Sequence, residues 1–348
     1  MKPPLRFMTK ASLASALLAL AAALAGCAKQ YPMDTLSNGS DYAVKIHSLY
    51  VFVNWIDAVI MLIVLVTAFL ALFWFSTRVG EPGEPSSVTS DLRLEVAWTA
   101  IPALILVMIS VPTIRTIWQT QPDKWPADAL TINVIGHQWW WEFQYPQYGI
   151  DTADEVHFPV GRVIHFTLRS GDVIHSFWIP AMGGKRDVIP GQINEITFTA
   201  RETGEFPGQC VEFCGTSHAN MRLRAFSQTP EDFAKWVKAQ QAPPVTPKEG
   251  TPAAAGAQVF ADAPCAICHT VKGLSGFSKE YAGTYKGPDL THFGSRTTLA
   301  GSILTNDPHN VAMWIQEPDR VKPGAMMPTL GVKGKDLNDL VAYLESLK

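Results

Sequence analysis

Two long apolar runs dominate the first third of the chain. Residues 49–75 contain one charged side chain, Asp57, and residues 96–114 contain none. About 20 apolar residues in a helix cross the hydrocarbon core of a bilayer, so each run predicts a transmembrane helix. Together they predict a two-helix transmembrane hairpin over residues 45–118, and both outer ends of a hairpin lie on the same side of the membrane.

A third apolar run precedes the hairpin. Residues 1–26 have a basic start, an apolar middle and small residues at the end, which is the pattern of a secretory signal peptide. The motif that ends at Cys27, Leu-Ala-Gly-Cys, resembles a bacterial lipobox and predicts cleavage before Cys27 and its lipidation. An ordinary signal or an uncleaved anchor is the alternative. A secretory start places everything after residue 117 on the extracytoplasmic side.

The pattern changes to short strands after Pro126. Three segments are rich in β-branched residues and bounded by Gly, Pro or Asp: 131–135, 163–168 and 193–200. No strong helical period appears before residue 231, so residues 119–230 predict a small all-β sandwich or barrel. Residues 231–255 predict a helix end and then a linker, because 240-QQAPPVTPKEGTPAAA-255 holds four prolines among small and polar residues.

The remaining residues, 256–348, predict a third unit that carries haem. The segment 265-CAICH-269 is the Cys-x-x-Cys-His pattern in which Cys265 and Cys268 bond the haem vinyl groups and His269 becomes an axial ligand of the iron. A redox dithiol is the alternative, but that function does not require the histidine. Five apolar residues on one face predict a closing helix over 335–347: Leu337, Leu340, Val341, Leu344 and Leu347.

A methionine from later in the chain is the expected second axial ligand, because a Met/His pair raises the potential of the haem. The segment 322-KPGAMMPTL-330 offers Met326 and Met327. Class I cytochromes c resemble this segment in placing the ligand just before a proline, which favours Met327.

The loop 208-GQCVEFCGTSHANM-221, hereafter the cysteine loop, collects several soft ligands. Cys210, Cys214, His218 and Met221 offer thiolates, an imidazole and a thioether, a combination that indicates copper. Two thiolates can bridge two metals, and His175, just after a strand, is the candidate second imidazole. A zinc site formed by the four Cys and His residues is the first alternative, although it would leave Met221 unused. A Cys210–Cys214 disulfide is the second alternative.

Composition and charge limit the kinds of binding partner that can be expected. The chain of 348 residues has a net charge of −3 and a mean hydropathy of +0.08, which gives no reason to expect a nucleic acid partner. Residues 119–228 hold 8 Lys and Arg against 12 Asp and Glu, a local net charge of −4. An acidic face of this kind suits a basic protein partner, or serves solubility alone.

These motifs together resemble subunit II of haem-copper cytochrome c oxidase in the bacterial caa type, which has a cytochrome c fused to its C-terminus. The likeness covers almost everything after Cys27. It implies a multidomain fold: the transmembrane hairpin, an all-β cupredoxin-like Greek-key barrel and an all-α class I cytochrome c domain. It also implies that the cysteine loop builds the dinuclear copper centre CuA. In that centre Cys210 and Cys214 bridge, His175 and His218 cap, Met221 is a weak ligand and Glu212 donates its main-chain oxygen.

The resemblance assigns further roles. The Glu212 side chain corresponds to a ligand of a magnesium ion shared with subunit I. In 136-GHQWWWEFQY-145, Trp139 aligns with a tryptophan that accepts electrons, while at least two of the three tryptophans are expected to be packing residues. Glu95 corresponds to the mouth of a proton path, with an ordinary interfacial carboxylate as the alternative. Lys185, Arg186 and Asp187 resemble a segment that faces subunit I, or are solvated charges.

The function that follows is electron entry into a terminal oxidase. Electrons from a cytochrome c-type or quinol-oxidising donor would pass through haem c and CuA to subunit I, where oxygen is reduced to water and protons are pumped. The expected partners are subunits I and III and the bilayer, and the expected location is the bacterial inner membrane. The alternatives are a CuA subunit of a nitric oxide reductase-type complex and a lipid-anchored copper carrier that acts alone. The two spans argue against the carrier.

Overall fold

The computed structural model describes residues 32–74, 90–122, 124–273 and 286–348. The predicted signal peptide at 1–26 and Cys27 lie outside the described residues. The described residues begin just before the transmembrane hairpin and extend to residue 348, with gaps at 75–89, 123 and 274–285.

Two long helices follow the two apolar runs: α1 (Asp41–Trp74) and α2 (Leu92–Thr120). Their mean hydropathies over the most apolar windows are 2.6 and 2.1, and those windows are not buried within the chain. Both helices are therefore long and apolar enough to cross a membrane. Asp91 caps α2, since its carboxylate accepts hydrogen bonds from the backbone N–H groups of Arg93 and Leu94.

Residues at the start of α1 bind the hairpin to the β-structure through hydrogen bonds. The Ser40 hydroxyl donates to the carbonyl of Met182 at 2.5 Å, and the Asp41 carboxylate accepts from the backbone N–H of Thr199 at 2.7 Å. Tyr42 is buried against Gly183, where a Cβ would lie 2.4 Å from the tyrosine ring. These bonds join α1 to two separate segments of the β-structure.

The β-structure is a sandwich of two five-stranded sheets, ordered β3-β2-β1-β5-β8 and β4-β10-β9-β6-β7. Its strands are β1 (Leu130–His137), β2 (Trp140–Tyr145), β3 (Ile150–Ala153), β4 (Glu155–Pro159), β5 (Val163–Ser170), β6 (His175–Trp178), β7 (Arg186–Val188), β8 (Asn194–Thr199), β9 (Gly204–Cys210) and β10 (Arg222–Gln228). Residues in β1 alternate between buried and half-buried, as expected for a strand with one face on the core. Phe158, Phe166 and Phe177 fill the space between the sheets.

Helix α3 (Pro230–Gln241) completes this unit, here called the sandwich unit (residues 130–241). Thr229 caps the helix by accepting from the backbone N–H of Asp232, and Pro230 occupies the first turn. Phe233 and Val237 belong to the same apolar core as the strands. The chain then runs through residues 242–251 to the last unit.

The C-terminal unit (residues 252–348) is mainly helical. It contains α4 (Pro252–Asp262), α5 (Cys265–Cys268), the short strands β11 (Thr298–Leu299) and β12 (Leu304–Thr305), α6 (Pro308–Gln316), α7 (Pro318–Val321) and α8 (Gly334–Ser346). The predicted closing helix over 335–347 matches α8. The five predicted apolar side chains are all buried in the core of the C-terminal unit: Leu337, Leu340, Val341 and Leu344 within α8, and Leu347 just after its end. Helices α4 and α8 cross at Gly256.

Replacement of Gly256 by alanine is expected to destabilise the C-terminal unit by about 1–3 kcal/mol, the usual range for overpacking. A Cβ at this position would lie 1.9 Å from the carbonyl oxygen of Asp339 and 2.8 Å from the Cβ of Tyr343. At an uncrowded helix position, alanine is more favourable than glycine by about 1 kcal/mol. A net loss of stability would therefore be due to steric overlap. The measurement is thermal unfolding of the full chain followed by haem absorbance. Gln258→Ala, at an exposed position of α4, is the control; a Gly256→Ala protein as stable as this control would contradict the expectation.

Candidate functional site

The cysteine loop lies at one end of the sandwich unit, between β9 and β10. Cys210 ends β9, and its N–H donates to the carbonyl of Met221, which closes the base of the loop at 2.9 Å. His175 begins β6, which pairs with β9, and so comes from the neighbouring strand. The register of one sheet thus brings a distant histidine to the loop.

The predicted copper ligands converge. Cys214 is at the centre, with its Sγ 3.8 Å from the Cys210 Sγ, 3.5 Å from the His218 Nδ1 and 3.9 Å from the Met221 Sδ. The Cys210 Sγ lies 3.9 Å from the His175 Nδ1 and 3.3 Å from the main-chain oxygen of Glu212. Both cysteines, His175 and Met221 are buried. Six predicted ligand atoms, from six residues, therefore surround one small volume.

The two cysteines are free thiols, so the disulfide alternative does not describe this structure. Metal–thiolate bonds of about 2.3 Å, the length found at zinc sites, can reach one metal from two sulfur atoms 3.8 Å apart. Hydrogen bonding from the Cys214 thiol lowers the pKa of Cys210 to about 4, and the same interaction raises the pKa of Cys214. This interaction favours the thiolate form of Cys210, and the donor set fits soft metal ions.

A carboxylate orients His175. Asp172 accepts a hydrogen bond from the Nε2 of this histidine at 2.7 Å, which leaves the Nδ1 lone pair directed at the cysteines. Burial acts to lower the pKa of His175, but the hydrogen bonds and charges of Asp172 and Cys210 together outweigh burial and raise it. Asp172 also accepts from the backbone N–H groups of Gln138 and Val173, so it joins the β1–β2 turn to the site.

Replacement of Asp172 by alanine is expected to weaken copper binding by about 10- to 100-fold, the usual cost of losing such an orienting partner. The physical reason is that the His175 ring loses the acceptor that fixes its tautomer. Copper affinity can be measured by competition with a chelator of known affinity. The matched control is Glu195→Ala, because Glu195 lies beside His165, a histidine outside the site, at 3.9 Å. Equal affinities in the two variants would contradict the role of Asp172.

The haem-attachment motif lies at the start of the C-terminal unit. Helix α5 separates Cys265 and Cys268 by one turn, and both are free thiols. The Nδ1 of His269 donates to the carbonyl of Pro288 at 2.8 Å, so its Nε2 keeps a lone pair. Burial lowers the pKa of His269, which favours the neutral ring that binds iron. These residues fit a covalently attached haem.

The two candidate methionines differ in their surroundings. Met326 is 64% exposed, whereas Met327 is partly buried and packs against the core of the C-terminal unit. Residues 322–327, hereafter the methionine loop, begin where α7 ends. The packing favours Met327 as the ligand.

Trp139 contacts both the cysteine loop and the methionine loop. Its Nε1 donates to the carbonyl of Cys214 at 3.0 Å, and its side chain is 8% exposed. Trp140 stacks on His137, while Trp141 is fully buried and its ring edge meets His175. Of the three tryptophans, Trp139 therefore contacts the cysteine loop and the other two pack within the sandwich unit.

The other predicted residues lie outside this cluster. Glu95 is half-buried in the first turn of α2, at the end of the hairpin away from the sandwich unit. The Glu212 side chain is exposed, and the neighbouring Phe213 is 78% exposed. Arg186 and Asp187 belong to β7, at the edge of a sheet, and Lys185 immediately precedes it.

Comparison with known proteins identifies the family. Three family profiles match: "Cytochrome C oxidase subunit II, transmembrane domain" over residues 34–116, "Cytochrome C oxidase subunit II, periplasmic domain" over 149–226 and "Cytochrome c" over 253–348. The cytochrome c oxidase subunit 2 of Alkalihalophilus pseudofirmus is 35% identical over 93% of this chain and 94% of its own length. The chain belongs to the cytochrome c oxidase subunit II family.

Two further proteins are similar to parts or all of the chain. The subunit 2 of Bacillus subtilis is 34% identical over 93% of this chain and 94% of its own. The crystal structure of the periplasmic domain of subunit II (CoxB) of Bradyrhizobium japonicum is 36% identical, with a TM-score of 0.32, and covers 33% of this chain and 96% of that one. Family membership confirms the predicted multidomain fold class and makes the chain a component of the oxidase. It implies copper of the CuA type, haem, other oxidase subunits and a membrane protein with a domain outside the membrane.

Sequence reasoning missed a set of polar residues that join the sandwich unit to the C-terminal unit. Lys322, Ser217, Asp154, Glu155 and Glu142 are all buried or partly buried between the sandwich unit and the C-terminal unit. Each looks like an ordinary surface residue in the sequence, since its partner lies in another unit. The local net charge of −4 was the signal that could have indicated the contact.

Proposed function

We propose that this subunit II receives electrons at its haem c and passes them through CuA to subunit I, where oxygen is reduced to water and protons are pumped. When bound, each of the two centres supplies a one-electron redox step. Electrons would come from a cytochrome c-type donor or a quinol-oxidising complex. The chain's own residues hold the two centres, set the contact between them and fasten both to the membrane hairpin.

The ligand assignment rests on the contacts within the cysteine loop. Cys210 and Cys214 are the proposed bridging ligands, with His175 and His218 as the imidazoles, Met221 as the weak thioether and Glu212 as the main-chain donor. The proposal is supported by the position of Cys214, which lies within 4 Å of a sulfur or nitrogen atom of three other ligands. A zinc site would need neither Met221, which is fully buried beside Cys214, nor the Glu212 carbonyl.

For the haem, Cys265 and Cys268 are the proposed attachment sites and His269 and Met327 the axial ligands. Trp139 is the proposed route of electrons into CuA. Support comes from its hydrogen bond to the Cys214 carbonyl and from its contact with the C-terminal unit, whose methionine loop covers it. In this fused chain the donor at Trp139 is therefore the attached cytochrome rather than a free protein.

The exposed surface around Glu212 and Phe213 is proposed to meet subunit I. The exposed Phe213 and Glu212 suit a protein interface, and the Glu212 carboxylate is the proposed magnesium ligand. Glu95 is the proposed start of a proton path, and subunit III completes the complex. We place the complex in the bacterial inner membrane, with Cys27 lipidated after removal of residues 1–26. The remaining proposed domain boundaries are 45–118 for the transmembrane hairpin, 119–230 for the CuA domain, 231–255 for the helix end and linker, and 256–348 for the cytochrome c domain.

One observation carries the proposal: the converging soft ligands of the cysteine loop occur on the same chain as a Cys-x-x-Cys-His motif. The test is a count of copper per haem in the full chain, purified in detergent, together with its copper EPR spectrum. We expect two coppers per haem and hyperfine structure from two equivalent nuclei. One copper, or zinc with no EPR signal, would overturn the dinuclear centre. Co-purification of a nitric oxide reductase subunit in place of oxidase subunit I would overturn the proposal that the complex reduces oxygen.

A further inference from the structure

The methionine loop is held against the sandwich unit by a buried lysine. Lys322 is 4% exposed, and its ammonium donates to the main-chain oxygen of Trp139 in the sandwich unit. It also donates to the oxygen of Ala300 in its own unit at 3.0 Å. A buried ammonium needs acceptors or an opposite charge. Lys322 has both, because the carboxylate of Asp154, also buried, attracts it.

The next two residues of the methionine loop contact the cysteine loop. The carbonyl of Pro323 accepts a hydrogen bond from the Ser217 hydroxyl at 2.5 Å. Gly324 is so close that a Cβ would lie 2.9 Å from the Cβ of Thr216 and 3.3 Å from the Cη2 of Trp139. Ser217 directly precedes the ligand His218. Three consecutive residues, all within five positions of Met327, therefore contact the surroundings of CuA.

Further bonds hold the units together away from this point. The carboxylate of Glu155, 2% exposed, accepts four hydrogen bonds from the N–H and hydroxyl groups of Thr297 and Thr298, at 2.7–2.9 Å. Glu142 pairs with Lys286. Since these contacts do not involve the methionine loop, loss of Lys322 would loosen that loop without separating the units.

We propose that Lys322 is a positioning residue for electron transfer from haem c to CuA: its ammonium fixes the methionine loop on Trp139 and the cysteine loop. The inference rests on the proposed function, because it assumes that electrons cross between these two centres. The role is geometric. Electron tunnelling weakens steeply with distance and with each gap between bonded groups, so a loop that moves away from Trp139 and Ser217 couples the centres poorly.

The test compares Lys322→Met with Lys272→Met in the full chain within the oxidase. Methionine keeps the length of the lysine side chain and removes its charge and donors. Lys272 is the matched control, since its ammonium also donates across the units, to the oxygen of Gly149 at 3.4 Å, far along the chain from the methionine loop. The haem is reduced by a light pulse through a photoreductant, and reoxidation of the haem and reduction of CuA are followed together.

We expect Lys322→Met to slow the transfer by about 10- to 100-fold, the scale on which small displacements of reacting groups act. Lys272→Met should transfer at the wild-type rate. Copper content and the EPR spectrum should be unchanged in each variant, because neither lysine is a ligand. Both midpoint potentials are measured, so that a change in driving force is separated from a change in coupling. Amide hydrogen exchange should rise in peptides that cover residues 214–221 and 322–327 in Lys322→Met alone.

A wild-type rate and unchanged exchange in Lys322→Met would overturn the inference. Ser217→Ala gives an independent check, because it removes one bond to the same loop and leaves the buried charge in place; it should slow transfer in the same direction. If the wild-type haem does not reduce CuA at all, the proposed electron order fails, whatever the lysine variants do. The two failures are therefore distinguishable.

Discussion

Replacement of Cys214 by serine is expected to abolish the dinuclear copper centre and to lower oxygen consumption by more than about 100-fold. The loss of an orienting partner alone costs about 10- to 100-fold in metal affinity, and the loss of a ligand should cost more. Cys214 is the position of choice because its sulfur contacts Cys210, His218 and Met221. A serine oxygen is a harder and less readily ionised donor, so it cannot bridge copper in place of a thiolate.

The measurement is copper per haem and the EPR spectrum of the purified oxidase. We expect one copper or none, and no signal from two equivalent nuclei. The control is Met221→Leu, which removes the weak thioether and retains both thiolates, and should keep two coppers. A Cys214→Ser protein with two coppers and a wild-type spectrum would contradict the bridging role, while haem content checks that export and maturation have proceeded.

Replacement of Met327 by leucine is expected to lower the midpoint potential of the haem, on the order of 0.1 V or more. Axial ligands set haem potentials over a range of about 0.8 V, and a thioether stabilises the reduced iron. Met327 packs against the core of its unit, so leucine preserves the packing while it removes the sulfur. The measurements are a redox titration of the haem and loss of the methionine-to-iron charge-transfer band.

Met326→Leu is the matched control for this experiment. Met326 is the adjacent residue, has the same side chain and is 64% exposed. Its replacement should leave both the potential and the charge-transfer band unchanged. If the effects were exchanged between the two variants, Met326 would be the ligand and the methionine loop would bind in a register shifted by one residue.

Local motifs made much of this protein predictable. The proposed copper ligands other than His175 lie within one loop of 14 residues, and the haem motif occupies five. Ligand spacing in such segments is a property of the sequence itself, so chemistry can be read without the fold. The apolar runs were equally informative, because the length of a span is imposed by the bilayer. The helix of residues 335–347 followed from the period of its leucines.

The contact between the two units was not predictable in the same way. Glu155 follows another acidic residue, Asp154, and is nonetheless 2% exposed, since its four donors come from residues more than 140 positions away. Lys322 likewise carries a charge next to a proline and a glycine, a composition typical of an exposed turn. Burial of such groups depends on the docking of one finished unit on another. The acidic balance of residues 119–228 suited a basic partner or solubility alone, and at this contact Glu142 pairs with Lys286 of the C-terminal unit.

Under the proposed electron route, the docked cytochrome changes the molecularity of electron delivery. A separate donor would have to diffuse to Trp139 at every turnover, with a rate that depends on its concentration and on ionic strength. Here residues 242–251 connect the donor to its acceptor, and the buried Glu155 and Lys322 hold it in place. The step becomes first-order, with an effective concentration that dilution does not change. What still depends on collision is the reduction of the attached haem, so the competition between alternative donors takes place on the outer surface of the cytochrome.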